Sequence, residues 1–168
     1  MRRSGVTRRL VLAALLGAAG CFPYGFAGGG LPSNIRTVAV LPFDNQTPSP
    51  ELQREVLESL RSGLQRRLGL RDAPEPRADA IVRGTLLRYD LDVPIAYSAD
   101  PTQATTARRM LQLTLDVEIV EQRTGKALWE RKSLTVTGEY AERAEAEGRR
   151  QAIERLVNDV IEGAQSQW

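Results

Sequence analysis

The chain has 168 residues, 26% charged and 42% hydrophobic, a size that points to one domain able to bury an ordinary core without disulfides or metal. It has no histidine and one cysteine, which excludes Ser-His and Cys-His nucleophile arrangements and any histidine-based metal site. The formal net charge of +2 comes from the first twenty residues, where Arg2, Arg3, Arg8 and Arg9 stand with no acid; the rest carries 19 basic and 21 acidic residues, a net of −2, so there is no ground for expecting nucleic-acid binding.

Residues 1–20 have the layout of a secretory signal: a positive start, "MRRSGVTRR", then the apolar stretch "LVLAALLGAA". About ten apolar residues are half of what a membrane span needs. Ala18, Ala19 and Gly20 lead into Cys21, and this resembles a bacterial lipobox, whose cysteine becomes the acylated first residue of the mature protein. Acylation removes a thiol that would be a liability in an oxidising compartment, and a diacylated cysteine supplies the two chains that stable anchoring requires. The other reading of the same leader is a plain secreted protein cut near Gly20, with Cys21 a free thiol. Phe22 stands where many lipoproteins retained at the inner membrane carry aspartate, so the resemblance implies the outer membrane.

Residues 21–34 are rich in Gly and Pro and read as a flexible tether from the lipid to a domain spanning 35–168. "IRTVAVLPF" (35–43) offers apolar side chains to both faces and predicts an internal strand ended by Pro42. In "DNQTPSP" (44–50) Ser49 is the expected N-cap, with Pro50 at the first helical position. Leu52, Val56, Leu60, Leu64 and Leu68 then make one apolar stripe of a helix that Gly69 stops. Residues 71–77 read as a loop and 78–91 as a strand, in which Gly84 marks a bulge or a close packing contact. The polar connection 92–107 is too long for a tight hairpin. In 110–120, Leu111, Leu113, Leu115, Val117 and Ile119 alternate with polar residues, so one face is buried and the other wet. A turn at Thr124-Gly125 returns the chain antiparallel through 128–140, with a bulge or twist near Lys132 where the alternation slips. A final amphipathic helix runs from about Ala141 to Gln167.

The order β-α-β-β-β-α, with two amphipathic helices and a strand wet on one side, predicts an α/β (α+β) two-layer sandwich: a mixed four-stranded sheet with both helices on one face and the first two strands parallel. No catalytic or metal-ligating constellation is expected. Asp44, Asp79, Asp90, Asp92 and Asp116 have no spacing that demands a cation, and "GFAGGG" neither follows a strand nor opens a helix, so no cofactor is implied. The candidate binding residues are the basic ones on or near the later strands, above all Arg108, Arg109, Arg131 and Lys132, which suit phosphate groups; the alternative is solvated charges that protect sheet edges.

Taken in order, the lipobox cysteine, the tether, "GGGLPSNIRTVAVLPFDNQTPSPELQREVLESLRSGL", "ADAIVRGTLLRY", "AYSAD", "TGKALWE" and the closing amphipathic helix resemble the LPS-assembly lipoprotein family LptE over nearly the whole mature chain. The resemblance implies a βαβββα sandwich that is not an enzyme. It implies a lipid-anchored protein facing the periplasm, which plugs an LptD-type outer-membrane β-barrel and contacts lipopolysaccharide through basic residues. "VAVLPFDNQT" is also similar to the opening strand and turn of CsgG-like secretion lipoproteins and of LpoB, an activator of a peptidoglycan synthase, which leaves an envelope lipoprotein with a different partner as the alternative.

Overall fold

A computed structural model describes residues 31–93 and 109–166 of the chain. The first element is strand β1 (Thr37–Val40), followed by a two-residue strand β2 (Asp44–Asn45), helix α1 (Glu51–Leu68), a second two-residue strand β3 (Arg71–Asp72) and a 3-10 turn at Glu75–Arg77. Three long strands follow, β4 (Ala80–Val93), β5 (Arg109–Glu121) and β6 (Ala127–Tyr140), and helix α2 (Glu145–Ser166) closes the fold.

The strands form one six-stranded sheet in the order β3-β1-β4-β5-β6, with β2 alongside β4. β1 is parallel to β3 and β4, whereas β4-β5-β6 is an antiparallel meander. Both helices cover the same face. Leu52, Val56, Leu60 and Leu64 of α1, and Ile153, Leu156, Val160 and Ile161 of α2, share a core with Val38 and Val40 of β1 and with Leu111, Leu113, Leu115, Val117 and Ile119 of β5. Leu113, Leu115, Leu60 and Leu156 are at most 0% exposed, so the alternation read in 110–120 sets the buried face.

The expected fold class holds, with β1 internal and parallel to β4, but the sheet has six strands instead of four. β2 and β3 fall in stretches read as a turn and a loop. Each is held by backbone pairing to a neighbour, Asp44 opposite Thr85 and Thr37 opposite Arg71, and neither carries an apolar alternation to betray it. Ser49 does not cap α1 with its side chain. Pro50 occupies the N-cap, and the Asn45 amide donates to the Ser49 carbonyl at 2.9 Å instead. α2 starts at Glu145 and not near Ala141, after Arg143 takes a left-handed φ of 67°.

Gly84 is a close contact and not a bulge. A Cβ there would lie 2.1 Å from the Asp116 carbonyl oxygen and 2.5 Å from the buried Phe43 ring. The bulge expected near Lys132 is present. Val117 pairs with Arg131 and Leu115 with Leu134, so Lys132 and Ser133 together oppose Asp116, and Ser133 has φ 49°. The Asp116 carboxylate accepts the freed Ser133 N–H at 2.7 Å.

Candidate interaction surface

The uncovered face of β4, β5 and β6 is a continuous polar surface. Cross-strand pairing brings Arg83 opposite Glu118, Thr85 opposite Asp116, Arg88 opposite Thr114 and Asp90 opposite Gln112. On the other side, Thr135 and Thr137 stand opposite Thr114 and Gln112, and Glu130 opposite Glu118. Most charges on this face are paired within it: Arg83 Nε to Glu118 Oε1 at 2.6 Å, Arg88 to Asp90 at 3.1 Å, and Lys132 Nζ to Glu130 at 3.0 Å. The Thr114 and Thr135 hydroxyls meet at 3.2 Å. The face is polar and close to neutral.

Of the four expected binding residues, the three described ones do not form one cluster. Arg108 lies outside the described residues, as do Cys21, the 1–20 leader, the tether up to residue 30 and most of the 92–107 connection. Arg109 sits at the far end of β5 opposite Tyr140. It donates to Asp92 Oδ1 at 2.9 Å and stands 3.7 Å from Glu142. Lys132 is on the open face, and the Glu130 carboxylate beside it raises its pKa. Arg131 opposes Val117 and so shares the helix-covered side, exposed at the edge strand. Arg131 and Tyr140 are separated by roughly 30 Å of strand at about 3.3 Å per residue.

Two polar networks that the sequence did not reveal hold the far end together. Asp92, at a left-handed φ of 56°, accepts the Tyr140 hydroxyl at 2.8 Å and Arg109 at 2.9 Å. Arg109 and then Tyr140 hold the Asp92 carboxyl below its usual range, while burial, and then Asp92, pushes the Tyr140 hydroxyl up. Behind it, Arg149 of α2 forks onto Glu55 of α1, at 2.8 and 3.2 Å, and reaches Glu145 at 3.2 Å. Tyr89 of β4 donates to the same Glu145 at 2.7 Å. The Glu55 carboxylate raises the Arg149 pKa, and burial raises that of Tyr89. Period-2 and period-3.6 patterns report faces, not which side chains of different elements meet.

A groove of about 850 Å³ runs between α1 and α2, over Gly63 and Val157, with Ser59, Ser62, Arg66 and Arg150 on its walls. Its serines have no histidine to activate them. Among the described residues no three metal-ligating side chains gather, and no helix is long and apolar enough to cross a membrane.

The fold recurs in solved structures. The PelC dodecamer of Paraburkholderia phytofirmans matches with a TM-score of 0.52 at 17% identity, over 82% of this chain and 94% of that one. Protein XCC0632 of Xanthomonas campestris matches with a TM-score of 0.53 at 11% identity, over 79% and 86%. Hypothetical protein CT253 of Chlamydia trachomatis matches with a TM-score of 0.51 at 12% identity, over 77% and 98%. At these identities the likeness is one of fold. No curated protein sequence matches the chain. The model of the family described as "LptE: Lipopolysaccharide-assembly" matches residues 35–163, which takes in every strand and nearly all of both helices. The chain therefore belongs to the LptE lipopolysaccharide-assembly family, whose members are assembly proteins and not enzymes.

Proposed function

We propose that this protein is an outer-membrane lipoprotein, acylated at Cys21 and facing the periplasm, which seats in an LptD-type β-barrel and assists delivery of lipopolysaccharide to the outer leaflet. The observation that carries the reading is the open face of β4-β5-β6. A barrel lumen is lined by polar side chains, and a plug needs a rigid, hydrated surface that adds no large field of one sign. The self-paired charges Arg83–Glu118, Arg88–Asp90 and Lys132–Glu130 give such a surface. Family membership supports the link to lipopolysaccharide assembly, and the leader with its single cysteine supports the anchor.

For lipopolysaccharide contact, Arg108, Arg109, Arg131 and Lys132 remain the first residues to test. Arg131 takes precedence, because Arg109 and Lys132 already hold carboxylates. Pull-down from detergent-solubilised outer membranes is the deciding experiment. Recovery of an LptD-like barrel supports the reading; recovery of a peptidoglycan synthase or a secretion pore in its place overturns it. Cys21→Ala is expected to leave the precursor unprocessed or free in the periplasm, and a mature protein with an unmodified terminus other than Cys21 refutes the anchor.

A further inference from the structure

We propose that the end of the sheet where the chain enters the domain rests on an anionic phospholipid surface through Arg36, Arg71, Arg77 and Arg123, an inference that builds on the anchorage at Cys21. Hydrogen bonds fix these four residues to one end of the fold. The Arg71 N–H donates to the Arg36 carbonyl at 3.0 Å, the Arg36 N–H to Asp79 Oδ2 at 3.0 Å, and the Gln122 N–H to the Asp79 carbonyl at 2.9 Å. This joins the start of β1, the β3 edge, the 3-10 turn and the β5–β6 turn into one surface. All four arginines are exposed.

The carboxylates at the same end are mostly engaged inside the fold. Asp72 faces Arg61 at 3.1 Å, Asp79 takes two backbone N–H groups and the Thr37 hydroxyl, and Glu121 accepts from Asn34 and from Thr124. Arg36, Arg71 and Arg77 stand in no ion pair among the described residues, and Arg123 has only a 3.7 Å approach to Glu121 with its side chain 81% exposed. Glu75 of the 3-10 turn and Glu162 near the end of α2, whose neighbour Gly163 packs on Trp129, are further carboxylates at this end. At the opposite end the charges are matched to one another: Asp90 stands with Arg88, Asp92 and Glu142 with Arg109, and Glu145 with Arg149.

The position of the anchor selects which end meets the lipid. Leu31 packs on the core and Asn34 bonds Glu121, so the tether arrives at the arginine end. From Cys21 to Leu31 the chain reaches at most about 35 Å, at up to about 3.5 Å per residue. Acyl chains hold this end within reach of the leaflet, and exposed arginines add the second, electrostatic signal that anionic headgroups recognise. The surface committed to is a phosphatidylglycerol-containing leaflet, the one in which the acyl chains sit.

The test uses the full mature protein in two kinds of vesicle, phosphatidylcholine alone and phosphatidylcholine with phosphatidylglycerol, read by flotation and by amide hydrogen exchange. With phosphatidylglycerol present, exchange in 71–78 and 121–127 is expected to slow about tenfold, with no change at 88–92 or 139–143. The slowing is expected to vanish in about 1 M salt, where the Debye length is about 3 Å, and in the triple variant Arg36→Glu, Arg71→Glu, Arg123→Glu. Should that variant fail to fold, Arg123→Glu alone is read for a partial loss. Equal exchange in both vesicle types, with protein bound to each, overturns the proposal. Protein that leaves neutral vesicles refutes the anchor and not the basic surface. Flotation with phosphatidylglycerol vesicles then decides: charge-dependent binding supports the proposal, and no binding overturns it.

Discussion

Gly138 of β6 lies directly against Gly148 of α2: a Cβ built on Gly138 would fall 1.8 Å from the Gly148 carbonyl oxygen and 2.6 Å from its carbon. The obstacle is backbone, so no rotamer change relieves it. This crossing lets the first turns of α2 lie on the sheet and sets Arg149 next to Glu55. Gly138→Ala is therefore expected to cost at least about 3 kcal/mol in urea unfolding, the upper end of ordinary overpacking. Gly125→Ala is the control. It has a left-handed φ of 68° but open space around it, so about 1–2 kcal/mol is expected from backbone strain alone. Equal losses at the two sites would show that the helix–strand crossing tolerates a methyl group.

The register of β5 makes a second prediction. Leu115 is fully buried between Leu86 and Leu134, while Gln112 lies on the uncovered face between Asp90 and Thr137. Leu115→Ala is expected to cost about 2–5 kcal/mol, and Gln112→Ala to stay within about 0.5 kcal/mol. Thermal or urea melts of the two variants side by side check the assignment; similar losses would place the wrong face in the core.

What the sequence made legible follows from these two cases. The face of β5 was readable because Leu111 to Ile119 alternate without a break, and the stripe of α1 because Leu52, Val56, Leu60 and Leu64 repeat at helical spacing. The bulge at Lys132 and Ser133 showed as a slip in the same alternation. β2 and β3 were not readable, because Asp44–Asn45 and Arg71–Asp72 owe their strand geometry to a neighbouring backbone and not to their own side chains. The distance between Arg109 and the pair Arg131 and Lys132 was hidden for a related reason. Their nearness in a list of strands says nothing about which end of a 14-residue strand each one faces.

Arg149 is the polar link between the helices, with its side chain 15% exposed and Glu55, Glu145 and Glu51 at 2.8, 3.2 and 3.9 Å. Removing it leaves three carboxylates without the cation they share, of which Glu145 alone still accepts from the Tyr89 hydroxyl. Arg149→Ala is expected to cost about 2–4 kcal/mol near neutral pH, somewhat below the penalty for a fully buried pair. Arg149→Lys keeps the charge but cannot fork onto Glu55, so an intermediate loss is expected. Urea midpoints of the three proteins test this, and a lysine variant as stable as the parent would mean that charge alone matters there.

Asp79 ties β1 to β4 by accepting the Arg36 N–H at 3.0 Å, the Thr37 N–H at 2.9 Å and the Thr37 hydroxyl at 2.8 Å. The Arg36 amide first, and then the Thr37 hydroxyl, holds its carboxyl below the ordinary range. A carboxyl whose pKa is lower folded than unfolded stabilises the fold fully above its unfolded value of about 3.9, and that contribution is lost as pH falls through the lower folded value. Asp79→Ala is therefore expected to be clearly less stable than the parent at about pH 7, with the gap narrowing steadily below about pH 4. Asp79→Asn retains an oxygen that can accept the same donors but carries no charge, so across this range its stability should change less with pH than the parent's. Urea midpoints of all three proteins from about pH 7 to about pH 3 make the comparison. A parent–alanine gap that does not change with pH would show that the three hydrogen bonds form as well to the protonated acid, and that the charge on Asp79 does not hold these strands together.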